Sequence, residues 1–175
     1  MLSKGAIKIL LDNIVILIDT REKSNVHIIE YFEKQGIKYE IKKLDYGDYS
    51  CYIPSIENID NPMFDFREII SIERKADLNE LAGNLTKGRE RFENELKRVK
   101  GKMMLMIEGS SYIDLWKHDY RSEYNPSSYN ASLMTYRARY GLELNFLSNK
   151  KCAGVFIYTS LYYAVREFLN SIGNY

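Results

Sequence analysis

Cysteine, proline and tryptophan are scarce in this 175-residue chain, which has two, three and one of them. Cys51 and Cys152 are far apart and neither has a partner at metal-ligand spacing, which argues strongly against a zinc site. Nothing in the pattern points to an oxidising compartment that would sustain a disulfide. No stretch approaches the ~20 apolar residues of a membrane span. Lys4 and Lys8 flank a short apolar run broken at Asp12 and Asn13, without the h-region or small-residue cleavage site of a signal peptide. A cytoplasmic location (the host cytoplasm, for a phage-encoded copy) and no membrane partner are expected. Charge of one sign is lacking too. The formal net charge is +1, so no global basic field advertises a nucleic-acid partner. Internal repeats and low-complexity tracts are absent.

Apolar and aromatic residues are plentiful. A hydrophobic fraction of 45% supports a sizeable core. The length predicts one domain over residues 1–175, with a core about 13–108 and a C-terminal helical part about 127–175. Fifteen tyrosines each join a broad apolar ring to a hydroxyl that needs a partner, which suits an interface, a base-stacking surface or a core rim. Between Glu73 and Lys102, nine Lys/Arg stand against six Asp/Glu. That is the composition of a solvated helix face, or of one bank of a phosphate-binding groove.

The run from Asn13 to Asp19 is almost continuously apolar and ends in an acid, as in a strand buried on both faces. Ser24 or Asn25 caps a predicted helix to about Gln35, stopped by Gly36. Ile37 to Leu44 alternates as a strand. The turn Tyr46-Gly47-Asp48 is expected to bring Tyr49 to Ile53 back against it, with Ile69 to Lys75 as the third strand of a meander. Residues 54–66, with Pro54 and Pro62, read as a loop. Apolar residues from Leu78 to Val99 recur at helical spacing, with a break expected near Thr86-Lys87-Gly88. Met103 to Ile107 is a second buried strand and 117–126 an exposed loop. Ser127 or Ser128 to Tyr140 is a helix, and Glu143 to Leu147 a short strand. About Lys150 to Ile172 closes the chain as a helix, within which the β-branched stretch Val155 to Thr159 competes as a strand. This order predicts an α/β sandwich on a mixed sheet.

Three polar segments fall at strand ends: Asp19-Thr20-Arg21-Glu22, Gly47-Asp48 and Glu73-Arg74-Lys75. Positions i and i+2 of a strand share a face, so Glu73 and Lys75 project together. Phosphodiester hydrolysis asks for a cation that polarises the phosphoryl oxygen and acidifies a bound water, for carboxylates to hold it, and for a positive group at the phosphate. Mg²⁺ prefers oxygen ligands and keeps several waters, so two or three carboxylates suffice. Asp48 and Glu73, with Asp19 as a third, are the candidate ligands, and Lys75 the candidate phosphate contact. Each piece has an ordinary counterpart: a turn aspartate after glycine, a charged Glu-Arg-Lys surface, a cap at Asp19 or Thr20. Their joint placement at strand ends, where ligands gather in α/β sheets, argues for a site.

The same residues resemble the ERCC4-type nuclease domain of XPF-like structure-specific endonucleases, whose core is restriction-endonuclease-like. The family pattern is Asp-x-Arg-Glu after the first strand, then Gly-Asp, then Glu-Arg-Lys, then an acid just downstream. Asp19-Thr20-Arg21-Glu22, Gly47-Asp48-Tyr49 and Ile72-Glu73-Arg74-Lys75 match it, and Met104-Leu105-Met106-Ile107-Glu108 is similar to its next strand. The resemblance implies a three-layer sandwich with a central mixed sheet flanked by helices. It implies a Mg²⁺- or Mn²⁺-dependent endonuclease acting on branched, flapped or forked DNA, in repair or recombination. It adds Glu22 and Arg74 to the site, Arg74 as an organiser. It implies DNA contacts from Arg21, Lys87, Arg89 and Arg91, and a homodimer through the C-terminal helices, here the tyrosine-rich helix from about Lys150. One position departs: the family's Asp four residues after the Lys falls on Asn79, so Glu80 or Asp77 would replace it. Nothing after Glu108 resembles the tandem helix-hairpin-helix modules that accompany this domain, so weak DNA binding is expected unless two copies pair. Two rivals remain. One is a non-catalytic DNA-binding or dimerisation module of the same fold. The other is a single-strand binder that stacks bases on exposed tyrosines and needs neither metal nor cleavage.

Overall fold

The computed structural model describes residues 3–56 and 63–173. Along the chain come α1 (Lys4–Leu11), β1 (Val15–Ile18), α2 (Val26–Gln35), β2 (Tyr39–Ile41), β3 (Tyr49–Ile53), β4 (Phe64–Asp65) and β5 (Ile70–Lys75). Then follow α3 (Leu78–Leu85), α4 (Arg89–Arg98), β6 (Lys102–Glu108), α5 (Tyr112–Trp116), α6 (Pro126–Tyr140), β7 (Glu143–Leu147), a 3-10 turn (Lys150–Cys152) and α7 (Ala153–Gly173). Among the described residues seven strands form one mixed sheet in the order β2-β1-β3-β5-β6-β7, with β4 on β3.

The expected hairpin between the second and third strands does not form. β2 instead runs parallel to β1, and β3 inserts antiparallel between β1 and β5. Burial explains the choice. β3 hides Tyr49, Cys51 and Ile53 completely and belongs at the centre. β2 is half-buried to exposed and is followed by Lys42 and Lys43, which suits a sheet edge. The crossover through α2 makes β1 and β2 a parallel βαβ unit.

This topology decides where the polar segments meet. β5, β6 and β7 are mutually parallel. β1 and β5 both run against β3, so the C-terminal ends of β1, β5 and β6 lie at one end of the sheet. β3 runs the other way, so its N-terminus lies at that same end. The register Ile18↔Tyr49↔Ile72 therefore puts the residues after Ile18, before Tyr49 and after Ile72 side by side.

Helices cover both faces. One core layer joins β1, β3 and Ile70 and Ile72 of β5 to α1, α2 and α7. The other joins Leu105 and Ile107 of β6 to α3, α4 and α6. The apolar stripe of α7 (Ile157, Leu161, Val165, Leu169) faces the first layer, so this helix packs mainly inside its own chain. Val155 to Thr159 is helical, with Ile157 part of that buried stripe. The break at residues 86–88 is present, with Gly88 at the N-cap of α4. α1 and α5 are additions to the sequence reading: Ser3 caps α1, and a Ser111–Asp114 capping box starts α5. β4 lies within the stretch read as loop, of which 57–62 fall outside the described residues. Gly101, just before β6, has no room for a methyl: a Cβ there would lie 2.3 Å from the Ile69 carbonyl oxygen and 2.5 Å from that of Glu68. Backbone cannot step aside as a side chain can, so Gly101→Ala should cost ~1–3 kcal/mol, read as a lowered urea midpoint at unchanged m-value.

Candidate functional site

At the shared sheet end lies a cavity of about 780 Å³. Asp48, Glu73, Lys75, Arg74, Glu22 and Arg21 all line it, with Glu80, Phe92, Glu95 and the rim cations Lys23, Arg91 and Arg98. Strand alternation puts Glu73 and Lys75 on the α3–α4 face and Arg74 on the face of α2 and α7. Gly47, at φ 68°, makes the left-handed turn before Asp48, and a Cβ there would sit 3.1 Å from that of Ser71. The Asp48 N–H donates to the Ile72 carbonyl at 2.8 Å, and the Asp48 carbonyl accepts from the Asp19 N–H at 2.8 Å. Asp48 is thereby locked between β1 and β5.

The electrostatics are those of like charges forced together. Burial and the neighbouring Glu73 charge push the Asp48 carboxyl well above the usual aspartate value, against one hydrogen bond from the Arg74 N–H at 2.8 Å. Burial also raises Glu73, and the Lys75 ammonium bonded to its Oε1 offsets only part of that. Burial pulls Lys75 down, but Glu73 and Asp48 outweigh it and Lys75 stays protonated. The Lys75 ammonium also lies 5.2 Å from the centroid of the Phe92 ring.

Raised folded-state values mean that the two acids favour folding while protonated, and that this contribution is lost as pH rises through those values. With chelator present, Asp48→Asn should therefore melt progressively higher than the parent as pH rises from about 4 to 7, the region above ordinary carboxylate values. Paired thermal melts check this, and a difference independent of pH would contradict it.

Asp19 departs from its expected place. Its side chain is fully buried and does not line the cavity. One oxygen accepts from Arg21 Nε and the Arg21 N–H, both at 2.7 Å, and the other from Arg21 Nη2 at 3.1 Å and the Leu44 N–H at 2.6 Å. Burial pushes Asp19 up, and these bonds hold it below the usual range. It braces Arg21, whose side chain is 59% exposed at the cavity mouth. Of the two downstream acids, Glu80 lines the cavity with Oε1 3.9 Å from Lys75 Nζ, while Asp77 caps α3 by accepting from the Glu80 N–H. Arg91 lines the cavity. Arg89 instead lies over the Tyr136 ring, 5.8 Å from its centroid, and Lys87 is exposed outside the lining.

Sequence reasoning left out Glu95, which accepts from the Gly47 N–H at 3.2 Å and adds negative potential at Glu73. It also left out any task for Glu108 and His27. The signal for Glu108 was present: like Asp19, it is an acid ending a buried strand.

A divalent cation has no three-ligand protein cage here. Among the described residues no group of three or more His, Cys, Asp or Glu side chains stands close enough to hold an ion. Asp48 and Glu73 still fit a hard cation that retains most of its waters, because an added positive charge would offset the burial and the neighbouring carboxylates that raise both acids. Among the described residues no helix is long and apolar enough to cross a membrane.

The profile of the ERCC4 domain matches residues 18–160, most of the chain. A search of curated protein sequences found no match. Among solved structures, XPF from Aeropyrum pernix is similar at a TM-score of 0.62 and 20% identity, over 86% of this chain and 61% of that one. The same protein in complex with DNA is similar at 0.59 and 22%, over 85% and 63%. The chain thus spans about three-fifths of the length of those chains, and the likeness is one of fold.

Proposed function

Because the chain belongs to the ERCC4 domain family, we propose that it is a divalent-cation-dependent endonuclease that hydrolyses phosphodiester bonds in branched, flapped or forked DNA. One observation carries the reading: Asp48, Glu73 and Lys75 line a single cavity, two mutually repelling acids beside a retained ammonium. Bound Mg²⁺ or Mn²⁺ would supply Lewis acidity at the phosphoryl oxygen and acidify a coordinated water. Asp48 and Glu73 would hold it. Lys75 would contact the scissile phosphate, its ammonium aimed by Glu73 and Phe92. Arg21, Lys23, Arg91 and Arg98 on the rim suit the flanking phosphates, which position a nucleic acid without reading its bases. The DNA complex of the Aeropyrum relative supports DNA as the partner.

A homodimer belongs to this reading, since a nearly neutral single domain offers little electrostatic affinity of its own. α7 leaves Val155, Tyr163 and Ile172 exposed for a second copy, and α5 leaves Tyr112, Ile113 and Trp116. Sedimentation velocity at ~10 µM, a concentration at which a micromolar pair is mostly formed, should show a dimer. A monomer there removes this part.

The decisive assay incubates labelled fork, flap, four-way and linear DNA with Mg²⁺, Mn²⁺ or chelator. Cleavage of branched substrates with either metal and none in chelator is expected. The rival reading is a non-catalytic DNA-binding module of the same fold. Binding without cleavage under every metal condition would establish that rival instead.

A further inference from the structure

Arg74 points away from Glu73 and Lys75, its neighbours in β5, yet it too contacts the site. Its N–H donates to Asp48 Oδ2 at 2.8 Å, and its Nη1 donates to Glu22 Oε1 at 3.4 Å. The second contact is long, and alone would not fix the plane of a guanidinium. Nη2 makes the short, charge-assisted bond, 2.8 Å to Glu108 Oε2. Glu108 is fully buried at the end of β6. Its other oxygen, Oε1, lies 2.9 Å from His27 Nε2 in the first turn of α2. A buried carboxylate costs free energy unless paired, and this one has a partner on each oxygen. Neither Glu108 nor His27 lines the cavity, and Glu108 is fully buried, with no surface of its own to offer DNA. Buried ion pairs often stabilise no more than apolar residues of the same volume. Stability alone is therefore a weak account of this one, which lies directly behind the site.

We infer that Glu108 and His27 are positioning residues: they hold the Arg74 guanidinium in place beside Glu22 on the cavity wall. For its kinetic readout the inference rests on the nuclease reading above. Glu108→Gln keeps the shape and removes the charge. His27→Phe keeps the ring and removes its nitrogens, and His27→Gln restores a donor toward Glu108.

Cleavage of a labelled flap with Mg²⁺ is measured at a temperature where melting curves show every variant folded. Glu108→Gln and His27→Phe should lower kcat ~10–100-fold, as loss of outer partners does elsewhere, while KM moves less than about threefold. His27→Gln should recover most of the kcat lost in His27→Phe. Unchanged kcat in the first two variants, or no recovery with Gln, overturns the inference. If the parent protein cuts no DNA at all, the nuclease reading fails and the brace is judged by side-chain NMR. The Arg74 guanidinium protons should exchange slowly in the parent and fast in Glu108→Gln. Equal protection in both would overturn the brace.

Discussion

Asp48→Asn and Lys75→Ala should each lower phosphodiester cleavage by on the order of 10²–10³-fold, the loss that follows removal of one preorganised electrostatic group from a reacting centre. The two variants reach that loss by different routes. The asparagine still offers an oxygen to the Arg74 N–H, so the 2.8 Å bond that ties Asp48 to β5 can persist. What disappears is a negative charge that burial and Glu73 already disfavour. The variant should therefore fold at least as stably as the parent in chelator while losing the site's affinity for a cation. Lys75→Ala strips the only cation bonded to buried Glu73 among the described residues and its contact with Phe92. Glu73 is then raised further, so the variant's stability deficit should widen as pH climbs through the folded value of that acid. Single-turnover cleavage, melting curves and DNA binding measured together separate these routes. A folded Lys75→Ala protein that cuts at the parent rate would remove Lys75 from the phosphate.

Arg74→Met should produce the largest loss of stability, about 3–5 kcal/mol at neutral pH, because it strands buried charges without their cation. Glu108 and Glu22 both face this guanidinium, with side chains 1% and 9% exposed. In the parent, burial pushes Glu108 up, but its bonds to Arg74 and His27 hold it below the usual glutamate value. A lowered acid stabilises the fold above its unfolded value, and that contribution fades as pH falls through the folded value. Without Arg74 the direction reverses: burial would dominate, and Glu108 would favour folding only when protonated. The deficit should thus be greatest near pH 7 and shrink toward about pH 4, where free glutamates protonate. Urea midpoints at both pH values test this. A deficit under ~1 kcal/mol and insensitive to pH would fit an exposed pair instead.

Some elements could be read from the chain because their cause is local. The first strand, the helix over 26–35, the strand ending at Lys75 and the break at Gly88 each follow from periodicity, caps or glycine. β2 and β3 were legible as strands but not as partners, since alternation says nothing about which neighbour a strand joins. Asp19 was misplaced for a related reason. It does end a strand at the right edge, but no local rule says that Arg21, two residues on, would fold back and take both of its oxygens. α7 carried an apolar stripe that sequence alone could assign equally to a second copy or to its own core, and the core takes it.

By itself the order of residues determined which groups were on offer: a carboxylate after a turn glycine, and a carboxylate and an ammonium two apart on a strand. These depend on φ preferences and on the period of two, which act over a few residues. Only the tertiary structure decided that Asp48 faces Glu73, that Asp19 turns away and that Glu108 and His27 stand behind Arg74. Those outcomes depend on the antiparallel insertion of β3 between two strands that run together, and on the repulsion and desolvation that arise once distant segments share one buried space.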